Sequence, residues 1–94
     1  MSMSLGAQAL AGAEPIVSSE EMYRRGLAAA VSGEGGRHDL ILAHKWFNLA
    51  AMQGHIEARS YRAELAREMT PDEVSEAQKM ARQYLAGQRA VLSA

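Results

Sequence analysis

The 94-residue chain has no cysteine. Disulfides and cysteine-ligated metals are therefore excluded, and the absence fits a reducing compartment. Aromatic residues are scarce, at one Trp, one Phe and three Tyr. Hydrophobic residues reach 48%, but much of that share is alanine, so any core is thin. A chain of this length holds one small domain, and such domains bury a modest part of their surface. Charge of one sign is also lacking: ten basic and eleven acidic residues give a net charge of -1. That balance leaves no basic footprint for nucleic acid. No apolar run approaches a membrane span. Residues 1–17 are small and weakly apolar, with Ala11-Gly12-Ala13 loosely like a cleavage site. They have neither a basic start nor a dense apolar stretch, so they read as a disordered tail rather than a secretory signal.

Four helices are predicted from caps and periodicity. Ser18 caps the first, with Glu21 three residues on as a capping box. Tyr23, Gly26, Leu27, Ala30 and Val31 share one face, which places helix one at 19–32, ended by Gly33-Glu34-Gly35-Gly36. Asp39 is the predicted cap of helix two, at about 40–53, whose Leu40, Ala43, Trp46, Phe47, Ala50 and Ala51 fall at helical spacing. Gly54 then supplies a left-handed stop. Helix three, about 55–68, is carried by Ala58, Tyr61, Leu65 and Met69. Thr70-Pro71-Asp72-Glu73 opens helix four with a cap, a first-position proline and a boxing glutamate. Val74, Ala77, Met80, Ala81, Tyr84 and Leu85 give that helix its apolar stripe, and Gly87 is its predicted stop. The expected organisation is a tail at 1–17, a helical domain at 18–87 and a frayed end at 88–94. Short turns between antiparallel helices predict an all-α stack.

The run from Asp39 to Ala58 carries the most specific pattern: Asp39, Ala43, Trp46-Phe47, Ala50-Ala51, Gly54-His55 and Ala58, preceded by Gly33 and Gly35. This spacing resembles the signature of Sel-one-like repeats, helical-hairpin relatives of the tetratricopeptide repeats. The resemblance is strongest over 33–58 and extends over 23–85. It implies an α/α solenoid fragment with one complete repeat, a half repeat and helix four as terminal cap. It also implies a bacterial protein whose work is binding other proteins. About three repeats are usually needed for stable stacking. The uncapped edge of helix one is therefore expected to self-associate, to be covered by a partner, or to be crossed by the N-terminal tail. Met1 and the capped fourth helix read as a complete small protein.

Chemistry-bearing residues have structural explanations. Trp46 reads as the core anchor between helices, and its replacement by Ala is expected to cost about 3–5 kcal/mol. The loop before Asp39 lacks the lysine and the preceding strand of a phosphate-binding loop, and Asp39 would repel an anion at the helix start. His38, His44 and His55 lack the four-residue spacing of a helical metal pair. Ser18, Ser19 and Thr70 fit cap roles, and the acidic pairs Glu20-Glu21 and Asp72-Glu73 suit helix N-termini. No catalytic set, metal site or cofactor is expected, and the chain reads as a non-enzyme.

Arg24, Arg25, Arg59 and Arg62 form the candidate partner-binding set. Helices one and three occupy equivalent places in successive hairpins and should line one surface, where arginine forks suit carboxylates. The competing reading is a solvated face paired with Glu20, Glu21, Glu57 and Glu64. The expected function is a protein-interaction adaptor that receives an acidic or mixed peptide on helices one and three, in the cytoplasm in preference to the periplasm. The alternative is a structural homo-oligomer, a dimer through the helix-one edge that completes its own stack. A helix-turn-helix regulator is suggested only by the helix pair around Gly54, and the missing basic recognition helix opposes it. Neither nucleic acid nor membrane is an expected partner.

Overall fold

The computed structural model describes residues 17–31 and 37–93. Among the described residues four helices follow one another: α1 (Ser19–Val31), α2 (Arg37–Met52), α3 (Ile56–Glu68) and α4 (Pro71–Ser93). No strand occurs among the described residues, so the all-α stack of helical hairpins expected from the sequence is the observed fold. The tail over 1–16 and the glycine-rich stretch over 32–36, with Gly33 and Gly35, lie outside the described residues.

Local chemistry accounts for most boundaries. Ser18 Oγ accepts the Glu21 amide at 3.0 Å, and Glu20 and Glu21 place negative charge on the first turn of α1. The turn after α2 is a Schellman motif. His55 N–H donates to the Ala50 carbonyl at 3.1 Å, Gly54 N–H donates to Ala51 at 2.9 Å, and Gly54 takes φ +92°. At the start of α4 the capping box closes both ways. Thr70 N–H donates to Glu73 Oε1 at 2.8 Å, and Glu73 N–H donates to Thr70 Oγ1 at 3.1 Å.

Two boundaries differ from expectation. The second helix begins at Arg37, so Asp39 lies in its first turn and is not its cap. The fourth runs through Gly87 to Ser93, so residues 88–93 are helical and not a frayed end. Gly87 has no positive φ, and nothing stands within 4 Å of where its Cβ would be. A helical glycine costs about 1 kcal/mol relative to alanine, which weakens a helix without ending it.

Each of the other three helices packs against α2. Phe47 and Leu49, both on α2, are its fully buried large side chains. Around them lie Met22 from α1, Ala58 and Leu65 from α3, Met69 from the following turn, and Ala77 and Ala81 from α4. Ala43, His44 and Ala50 are also buried on α2. The alanines let backbones come close, so a chain poor in aromatics still encloses a continuous core. Trp46, expected as the anchor, is only half-buried beside that core. The adjacent Phe47 is the anchor, because its ring points between α1 and α3.

Candidate interaction face

The α1 and α3 helices meet through an aromatic cluster mounted on Phe47. The Tyr61 ring of α3 stacks on Phe47 at 5.4 Å and 18°, and the Tyr23 ring of α1 is tilted against Phe47 at 5.9 Å. The two tyrosines lie 6.1 Å apart. One side of this cluster is covered by core; Tyr61 remains 42% exposed.

His55 ties the cluster to the turn before α3. Its Nδ1 accepts the Ala58 amide at 3.2 Å as the helix N-cap. That role leaves the ring proton on Nε2, which donates to Glu20 Oε1 at 3.0 Å. The same ring stacks on Tyr23 at 4.4 Å and 28°. Glu20 and Glu57 flank the histidine, with Glu57 Oε1 3.6 Å from Nδ1. Partial burial, then Tyr61, Glu57 and Glu20 as neighbours, raise the Tyr23 hydroxyl above the ordinary phenol pKa.

The arginines marked by the sequence differ in their partners. Arg24 is 65% exposed and pairs with Glu21 at 3.4 Å and Glu20 at 4.0 Å. Arg25 reaches Glu21 at 3.3 Å and lies 5.0 Å over the Trp46 ring. Arg62 Nη1 donates to Asn48 Oδ1 at 2.8 Å. Trp46 and Asn48 are two residues apart on α2 and point to opposite sides, so Arg25 and Arg62 approach that helix from different directions. Arg59 is exposed and makes no ion pair among the described residues. Arg25 and Arg62 are therefore not brought together.

Trp46 forms a second cluster. Lys45 Nζ lies 4.3 Å from its ring centroid, and Tyr84 of α4 meets it edge-on at 5.4 Å. With Arg25 on the same ring, this cluster links α1, α2 and α4. Deeper in α2, His44 is 2% exposed, and its Nδ1 has no hydrogen-bond partner among the described residues. Burial first, and then the charge of Arg62, lower its pKa below the ordinary histidine value.

The remaining motif positions serve packing. Ala43, Ala50 and Ala58 are fully buried, and Ala51 is half-buried. Among the described residues no group of three histidine, aspartate or glutamate side chains could hold a metal ion. No described helix is long and apolar enough to cross a membrane. Sequence reasoning missed the Tyr23–His55–Tyr61 cluster because its members come from different helices. The one signal available was the placement of Tyr61 among glutamates at helical spacing. Comparison with protein-family models, curated proteins and solved structures finds no match.

Proposed function

We propose that this chain is a Sel-one-like interaction module, a non-catalytic adaptor that binds another protein on the face shared by α1 and α3. The observation that carries the reading is the partly exposed Tyr61 ring, stacked on Phe47 at the junction of those helices. A tyrosine fixed from behind offers contact area and a hydroxyl at little entropic cost, which is why tyrosine is enriched at binding hot spots. The Asp39–Ala58 motif supports the family assignment, and the bacterial source and the cytoplasmic setting are parts of the same proposal.

Affinity capture from the native extract, with mass spectrometry, tests the reading. The intact chain and an Arg59→Gln control should recover the same stoichiometric partner, and Tyr61→Ser should lose it while circular dichroism stays helical. Equal recovery with Tyr61→Ser would remove the face from consideration. Recovery of the chain alone, together with a dimer by light scattering, would favour the self-completing oligomer, a reading motivated by the 77% exposed Val31 on the edge helix α1.

A further inference from the structure

We infer that the occupant of the α1–α3 face is a cationic protein segment carrying arginine or lysine at helical spacing, and not the acidic peptide that the arginine count suggests. This assignment rests on the proposed interaction role of that face and specifies its chemistry.

Charges on α3 are sorted by side. Glu57, Tyr61, Glu64 and Glu68 stand at intervals of four, three and four, so they form one stripe along the helix. Ala58, Leu65 and Met69 form the neighbouring buried stripe. Of the α3 arginines, Arg62 turns to Asn48, Arg59 sits two positions from Tyr61 on another side of the helix, and Arg67 borders the stripe three positions after Glu64 without forming an ion pair with it. Glu57 is 69% exposed, and Glu64 and Glu68 are also exposed.

The carboxylates of α1 and α3 differ in their partners. On α1, Glu20 and Glu21 are held by Arg24, Arg25 and His55. On α3, Glu64 and Glu68 have no cation within ion-pair distance among the described residues. Among the described residues Glu57 meets only His55 Nδ1, whose lone pair is already committed to the Ala58 amide. Glu64 and Glu68 are therefore exposed carboxylates outside ion-pair distance of any cation among the described residues, with the exposed Tyr61 ring on the same stripe. Carboxylates beside an aromatic face are the two groups that a guanidinium or ammonium ion uses together, the first by charge-assisted hydrogen bonds and the second by cation–π attraction. An acidic segment would meet repulsion along the same line.

The test uses the full chain and two synthetic alanine-based helical peptides, identical except for arginine or glutamate along one face. Fluorescence anisotropy gives affinity, and amide and aromatic NMR shifts give location. The arginine peptide should bind, weaken with added salt, and shift Tyr61, Glu64 and Glu68 and leave Arg59 unmoved. Glu64→Gln with Glu68→Gln should reduce affinity about 3- to 10-fold, the scale of two exposed charge pairs. Tyr61→Phe should bind normally because it keeps the ring, and Tyr61→Leu should not. Binding of the glutamate peptide with equal affinity would overturn the proposal. So would arginine-peptide binding that ignores the glutamine variants. A salt-sensitive dimer of the free chain, dissolved by the same variants, would overturn a separate protein as the occupant, since exposed Lys79 and Arg82 on α4 of a second copy would then supply the cations. A natural partner captured through Tyr61, with no arginine-peptide binding, would sink the charge assignment and leave the interaction role standing.

Discussion

Gly26 of α1 lies directly against the ring of Phe47: a Cβ built on it would stand 2.5 Å from Cε1 and 2.6 Å from Cδ1. The contact is where α1 comes down on α2, and it explains a glycine in mid-helix that propensity alone disfavours. Gly26→Ala gains about 1 kcal/mol of helix propensity but forces the fully buried Phe47 from its place. Overpacking of this kind costs roughly 1–3 kcal/mol. The variant should be less stable than the parent, read as a lower urea midpoint with an unchanged slope. A higher midpoint would mean that α1 does not pack on Phe47 in solution.

Two other glycines should respond in opposite directions. Gly87 has open space at its Cβ and ordinary helical backbone, so Gly87→Ala should raise stability by about 0.5–1 kcal/mol. Gly54 also has open space, but its φ of +92° is one that other residues adopt at a cost of about 1–2 kcal/mol. Gly54→Ala should lower the thermal midpoint, and Gly87→Ala should raise it. A loss of stability in Gly87→Ala would contradict a continuous α4.

Phe47→Ala should be the most damaging single truncation in the chain. Phe47 is fully buried between α1 and α3, and the change costs about 3–5 kcal/mol, comparable to the total stability of many small domains. Trp46→Ala removes a half-buried ring and its cation contacts, for roughly 1–2 kcal/mol. Far-ultraviolet circular dichroism at 25 °C should show Trp46→Ala folded and Phe47→Ala largely unfolded. The reverse order would restore Trp46 as anchor.

That pair also marks how far the sequence is legible. Caps written in consecutive residues, such as Ser18 with Glu21 and Thr70 with Glu73, were readable because their chemistry is local. Which of two adjacent aromatics enters the core was not, because a rotation of α2 by one residue decides it. The same limit applies to the candidate face. Arg25 and Arg62 could be read as exposed, yet Trp46 and Asn48 engage them from the neighbouring helix α2. The join of Tyr23, His55 and Glu20 spans 35 residues and had no local mark.

His44 makes stability depend on pH. Its folded-state pKa lies below the unfolded value of 6.5, because burial and Arg62 oppose a charge on the ring. The unfolded chain therefore takes up the proton first as pH falls. The contribution is intact above 6.5 and is lost as pH drops from 6.5 toward the folded value. Urea midpoints should fall between pH 7.5 and pH 5, and His44→Leu should flatten that slope. An unchanged slope in the variant would show that other groups set the acid limb.

The His55 ring joins α1 to α3 in three ways, as N-cap, as donor to Glu20 and as a stack on Tyr23. His55→Asn keeps a capping side chain and removes the ring, whereas His55→Ala removes both, so the second variant should be the less stable by about 1 kcal/mol. A cycle of His55→Asn with Tyr23→Leu isolates the stack. Each single change should cost stability, and the double change should cost less than their sum, because one lost contact is counted twice. Strict additivity would mean that the two rings do not touch in solution. The turn before α3 would then be held to α1 by the Glu20 hydrogen bond, and Glu20→Ala should loosen the face on which Tyr61 is displayed.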